Sequence, residues 1–467
     1  MSTPLTLIIF GATGDLARRK LFPALLDLHC AGHLPESYRM VGFAKSSLSA
    51  EEFRRMVRGF VEERGHGHPE REVAAFAARA EYVAGDFTAP EAYGTLARFL
   101  AAQDRAAGVC TNKLFYLAVP PRFYDALFQN LADSGLSVGC VGGGAGWTRL
   151  VVEKPFGEDL HTAQALERKL ALLFKEDQIF RIDHYLGKSA LENILAFRFA
   201  NSIFEPVWNR DYVERIEVRI LEERGMDGRG AFYEGVGQLR DVGQNHLLQM
   251  LALVAMEDPG TYEAGAVRVR RAEVMASLRL RAGGRCIKGQ YASYRAEADV
   301  APHSKVESYF LLEAEMDTPR WRGTPVVLES GKKAGQTLSE VVLHFREIPS
   351  CMCREDLSNA RRNLLRFRVQ PDPATGMLLW ARKPSYTMEI EERYVEFPFV
   401  PTSRYKTHDA YEKLLLDVIE GNQTLFISSE EVEHSWRFLM PVLEQWQEEE
   451  PVIYEDGKPP ALPAQSR

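Results

Sequence analysis

The chain has 467 residues, 45% of them hydrophobic and 26% charged, with a formal net charge of −8. That length favours about two to four domains and permits a large core without covalent staples. The acidic balance argues against a nucleic-acid partner, so any bound phosphate has to be met by a local cluster of bases.

The six cysteines are scattered and include no C-x-x-C pair. The start, "MSTPLTLIIF", lacks a basic n-region, and no stretch reaches the ~18–20 apolar residues of a membrane span. These features predict a cytoplasmic protein with reduced thiols and no membrane partner.

The first half alternates. Apolar runs at "LTLIIF" (5–10), "RMVGFA" (39–44), "EYVAGD" (81–86), "KLFYLAV" (113–119) and "TRLVVEK" (148–154) predict strands. Helix-like stretches such as "AEEFRRMVRGFVEER" and "YDALFQNLADSG" separate them. Strands alternating with helices make β-α-β units and a parallel sheet, whose doubly buried strands read as continuous apolar runs.

"IIFGATGDLARRK" (8–20) takes the first strand into Gly11, Gly14 and Ala17 and then a helix. Glycines there allow a tight turn and close approach of the backbone to a pyrophosphate seated on the helix N-terminus. The next strand ends in "GFAKSS", where the adenosine ribose is normally read. Lys45, Ser46 and Ser47 stand there without a carboxylate, which suits the 2′-phosphate of NADP or tolerance of both nucleotides. The alternative is an exposed loop lysine. "CVGGGAGWTR" (140–149) precedes a strand and reads as a flexible connection. "RGHGH" (64–68) has no companion ligand, so no metal site is expected. "VVEKPFG" (151–157) puts Lys154 at a strand's C-terminal end, where α/β sheets place ligands.

"RIDHYLGK" (181–188) concentrates a carboxylate, an imidazole, a phenol and an ammonium. On a helical turn His184 and Lys188 share a face. With Tyr185 they suit a phosphate dianion, whereas Asp183 suits the orientation of a catalytic histidine. Beyond about residue 180 the rhythm changes. "YVERIEVRILEE", "VESYFLLEAEM", "TPVVLES", "SEVVLHFRE" and "LLRFRVQ" predict a largely antiparallel sheet. Helices at "NHLLQMLALVAME", "DAYEKLLLDVIEG" and "SEEVEHSWRFLMPVLEQW" are expected to cover it. In "LRDVGQNHLLQM", His246 has the imidazole pKa range a general base needs, but with 11 histidines in the chain spacing alone does not select it. "CMC" (351–353) reads as two ordinary cysteines, and the tail after Glu450 as frayed.

Taken together, "GATGDLARRKLFPAL", "EKPFG", "RIDHYLGK", "RFANSIFEPVWNR", "RDVGQNHLLQM" and "RYKTHDAYEKLLLDV" resemble the signature segments of the glucose-6-phosphate dehydrogenase family, in the family's order. The resemblance implies an α/β Rossmann-like NADP-binding domain (1–180). It also implies a larger α+β domain for substrate and oligomerisation, with a mostly antiparallel sheet (181–467). The reaction implied is oxidation of β-D-glucose 6-phosphate at C1 to the 6-phospho-δ-lactone with reduction of NADP, in a homodimer or homotetramer.

By the same resemblance His246 is the base and Asp183 its partner, while His184, Tyr185 and Lys188 hold the phosphate. Glu222, Asp241 and Lys332 contact the sugar, and Lys154 bridges sugar and nicotinamide. Gly11, Thr13, Gly14, Asp15, Leu16, Lys20, Lys45 and Ser46 lie at the cofactor, and no metal is required. Two positions depart from the family. Lys45 stands where an arginine is common, which softens the NADP preference. Thr337 stands where a second base follows "SGKK", leaving Lys333 as a substitute. A different hexose substrate, or a silent NADP-binding protein, remain as alternative readings.

Overall fold

A computed structural model describes residues 3–63, 67–139, 146–347, 362–386, 389–399 and 408–458. The chain divides into two compact units, the first made of Met1–Gly157, His161–Gly187 and His408–Ser429, the second of the remainder.

The first unit holds six strands: β1 (Leu5–Phe10), β2 (Tyr38–Ala44), β3 (Ala80–Ala84), β4 (Asn112–Leu117), β5 (Thr148–Glu153) and β6 (Ile179–Ile182). Their order is β3-β2-β1-β4-β5-β6, and every pairing is parallel. All six residues of β1 are buried, as expected of a strand covered on both faces. This is the doubly wound order, whose direction reverses between β1 and β4, so the ligand crevice opens at the C-terminal end of β1. Five of these strands coincide with the apolar runs read from the sequence. The sixth is only four residues long and carries Arg181, too short and too polar for that signal.

The helix Ala410–Glu420, expected over the second sheet, belongs to this first unit. Its amphipathic pattern says that it packs but not on what. Arg149 on β5 decides the matter by donating to the carbonyls of Val418 and Ile419, both at 2.7 Å. Downstream, Ile427 bridges to Arg181, and the rings of Phe180 and Phe426 meet edge to face at 4.8 Å.

The second unit holds β7 (Val213–Leu221), β8 (Leu278–Leu280), β9 (Cys286–Tyr291), β10 (Tyr309–Met316), β11 (Pro325–Gly331), β12 (Leu338–Phe345), β13 (Leu364–Gln370), β14 (Ala374–Arg382), β15 (Ile390–Pro398) and β16 (Val452–Tyr454). They form one sheet, ordered β15-β14-β13-β12-β7-β11-β10-β9-β16 with β8 beside β10. Its pairings are antiparallel except for β7 with β11 and β9 with β16. β16 overturns the frayed tail, at least to residue 458. Tyr454 is buried and packs with Tyr291 and Tyr309, and its hydroxyl donates to the Lys332 carbonyl at 2.5 Å. Two tyrosine-sized contacts outweigh a proline-rich composition that only discourages regular structure.

Cys110 is disulfide-bonded, against the expectation of reduced thiols throughout, whereas Cys30 and Cys286 are free. Spacing along the chain does not tell which thiols meet in space. The "GGG" residues 140–145, His66 and the "CMC" cysteines lie outside the described residues.

Candidate active site

In the first unit the loop after β1 is built for close approach. Gly11 has φ of +77°, and a Cβ placed on it meets the Ala118 carbonyl oxygen at 2.3 Å, so only glycine fits. Its N–H donates to Phe43, and Gly14 N–H closes the turn on Gly11 at 2.9 Å. Thr13 and Leu16 are half-buried there, and Asp15 is exposed and paired with Arg19 at 2.7 Å. A wide, π-type helical turn, Ala17–Leu21, follows with Ala17 fully buried. The turn, the bare backbone and the helix start fit a pyrophosphate. Lys45 and Ser46 are exposed just after β2. The Lys45 ammonium lies 3.2 Å from Asp86, whose carboxyl, bound by Thr88 N–H and hydroxyl, is held down at about 2.

"RIDHYLGK" is a turn between β6 and the helix Ser189–Phe199, not a helix, so the shared helical face expected of His184 and Lys188 does not form. Asp183 is buried, and its Oδ1 accepts the Tyr185 N–H at 2.9 Å while its carbonyl accepts the Leu186 N–H at 3.0 Å. This Asx turn fixes the carboxylate and leaves His184 and Tyr185 half-buried at the surface. Gly187 allows the turn to press on the Ala410 carbonyl, 2.7 Å from where a Cβ would stand. Lys188 caps the next helix and begins the second unit.

Tyr411, on the helix Ala410–Glu420, joins several of these residues. Its ring lies parallel to His184 at 6.4 Å, 5.7 Å beneath the Lys20 ammonium. Asp409 anchors both neighbours, accepting from Tyr411 N–H at 2.9 Å and pairing with Lys20 at 3.1 Å. Glu153, beside Lys154, receives the hydroxyls of Tyr116 and Tyr411.

In the second unit, a parallel pair within the mostly antiparallel sheet does the positioning. β7 and β11 run side by side, with Leu221 opposite Gly331, so the next residues, Glu222 and Lys332, emerge together. Lys332 is 1% exposed and its ammonium bonds Glu222 at 2.9 Å, 5.4 Å from the Tyr233 ring. Burial and the nearby carboxylates of Asp241 and Glu222 push the Tyr233 phenol well up, which places Asp241 in the same cluster. Lys333, the candidate substitute base, bonds Ser293 at 2.6 Å and Asp456 at 3.0 Å, while the Thr337 hydroxyl faces the Glu223 N–H at 3.5 Å.

His246 is buried in a π-type helix, Leu239–Leu247. Five residues turn an α-helix by about 140° past one face, whereas π hydrogen bonds span five residues. The widened helix thus brings Asp241 and His246 toward one side. Glu307 starts it, accepting the Leu239 N–H at 3.1 Å, and Gly237 is required because a Cβ would meet that carboxylate at 2.3 Å.

Comparison with known proteins gives the family. Residues 8–193 match the family model "Glucose-6-phosphate dehydrogenase, NAD binding domain", and 195–465 match "Glucose-6-phosphate dehydrogenase, C-terminal domain". The chain belongs to the glucose-6-phosphate dehydrogenase family. A glucose-6-phosphate 1-dehydrogenase of Chlamydia muridarum is 35% identical over 96% of this chain and 92% of its own length. Glucose-6-phosphate 1-dehydrogenase 2 of Mycobacterium bovis is 36% identical over 95% and 88%. A solved glucose-6-phosphate dehydrogenase in complex with its substrate glucose-6-phosphate superposes with a TM-score of 0.90, at 31% identity, covering 99% of this chain and 97% of that one.

Glu153, Tyr116, Tyr411, Tyr233 and Glu307 were not legible as site residues. Only Glu153 left a trace, as a carboxylate closing the apolar run Leu150–Val152.

Proposed function

We infer that the chain is an NADP-dependent glucose-6-phosphate 1-dehydrogenase. It oxidises β-D-glucose 6-phosphate at C1 to 6-phospho-D-glucono-1,5-lactone, the first step of the oxidative pentose phosphate pathway. The observation that carries this is the match of both family domains across residues 8–465.

On this reading His246 takes the C1 hydroxyl proton as hydride leaves C1, so the C1–O bond becomes the lactone carbonyl. The nicotinamide cofactor accepts that hydride when bound. Asp183, fixed by its turn, steadies the imidazolium. His184, Tyr185 and Lys188 bind the phosphate, Lys154 spans sugar and nicotinamide, and Glu222, Asp241 and Lys332 hold the sugar hydroxyls. Gly11, Thr13, Gly14, Asp15, Leu16 and Lys20 line the cofactor, with Lys45 and Ser46 at its ribose. Since Asp86 shares the Lys45 ammonium, a 2′-phosphate competes with a carboxylate, which supports use of NAD beside NADP.

Among the described residues no helix is long and apolar enough to cross a membrane, in keeping with a cytoplasmic setting. The exposed Tyr394, Val395 and Phe397 on β15 support a homodimer or homotetramer, which sedimentation at the single-chain mass of 52.8 kDa would exclude.

A substrate panel tests the phosphate site. Lys188→Ala should raise KM for glucose 6-phosphate by about tenfold to a hundredfold, the loss of a charge-assisted bond, and hardly change KM for glucose. An equal effect on both sugars removes Lys188 from the phosphate.

A further inference from the structure

Glu153 ends β5 one residue before Lys154 and has no role in the reaction as read above. The residue is half-buried, but its carboxyl points inward. Both phenols that reach it, Tyr116 from β4 and Tyr411 from the helix Ala410–Glu420, bond the same oxygen, Oε1, the latter at 3.4 Å. Tyr124 holds the backbone carbonyl of Glu153 at 3.0 Å. Among the described residues, the charged groups acting on the carboxyl are Lys154, next in the chain, and Asp183 on the turn after β6.

Behind Tyr411 stand Asp409, Lys20 and His184. A carboxyl so placed does two things. It fixes the ring that backs His184, and its charge acts on Lys154 and Asp183 through a poorly screened interior. We propose that Glu153 is a positioning residue of this site, orienting Tyr411 and acting through its charge on Lys154 and Asp183.

The inference rests on the reading of Lys154, Asp183 and His184 as active-site residues. Desolvation, only partly offset by the two phenols and Lys154, pushes the carboxyl up to about 7. Protonation of Glu153 withdraws one negative charge from beside Lys154. Ionised, it strengthens the negative field shared with Asp183, in which a catalytic imidazolium is stabilised.

The test compares Glu153→Gln with wild type, in kcat and in the infrared carboxyl band of the protein without substrate. The variant should lose about tenfold in kcat at about pH 8, where the wild-type carboxyl is ionised, and much less at about pH 6. The wild-type band of a protonated carboxyl should bleach between those values and be missing in the variant. Tyr116→Phe, which deletes a donor to the ionised form, should move both transitions to higher pH, and serves if Glu153→Gln does not fold.

A kcat ratio that stays constant with pH, or a carboxyl band unchanged by the substitution, overturns the proposal. Wild-type turnover judges the assigned reaction separately. A wild type without turnover would fail that reading, while the infrared titration would still decide whether Glu153 carries the proton.

Discussion

Replacing His246 by asparagine should lower kcat for glucose 6-phosphate by about a thousandfold or more, with the sugar phosphate still bound nearly as well. General acid–base catalysis supplies about 10²- to 10⁴-fold, and hydride cannot leave C1 unless the hydroxyl proton leaves with it. Asparagine keeps the shape and a hydrogen bond but cannot take a proton at neutral pH. His246 sits in a buried helix whose start is fixed by Glu307, so the surrounding backbone has little reason to move. Steady-state kinetics give kcat, and calorimetry with glucose 6-phosphate gives binding. A variant with near-normal kcat would show that another group is the base.

Arg181→Ala should destabilise the first unit by about 2–3 kcal/mol, from the charge-assisted hydrogen bonds of a buried guanidinium to two partly exposed carboxylates. The guanidinium is 1% exposed and forks onto two carboxylates, with Nη2 2.5 Å from Glu167 and Nη1 2.9 Å from Glu176. It also faces the carbonyl of Ile427, whose own N–H bonds the Arg181 carbonyl at 3.1 Å. Losing it removes the side-chain link between β6 and the 408–429 segment while the backbone bond stays. Urea unfolding followed by tryptophan fluorescence measures the loss. A change under about 1 kcal/mol would mean the pair is no better than an exposed one.

The opening motif was the easiest part to read, because a strand, a tight turn and a helix are local events. The same holds for the runs that became β1 to β5. What stayed hidden depends on partners distant in the chain. Arg181 opens the "RIDHYLGK" stretch with no role legible in the sequence, and its fork is a structural clamp. The helix Ala410–Glu420 shows only that one face is buried, while Arg149, far upstream, selects the unit it joins.

Lys332 and Glu222 were named from the resemblance, but their ion pair needs β7 and β11 to be parallel neighbours, which alternation in the sequence cannot specify. The widened helix at His246 is likewise invisible, because a π turn shares its composition with an α turn.

The most direct test is an initial-rate measurement with β-D-glucose 6-phosphate, run in parallel with NADP and NAD and with free glucose as the control. The account predicts NADPH formation that requires the phosphate ester, and a slower but measurable rate with NAD. No reduction of either nucleotide by glucose 6-phosphate, or equal rates with free glucose, would contradict it.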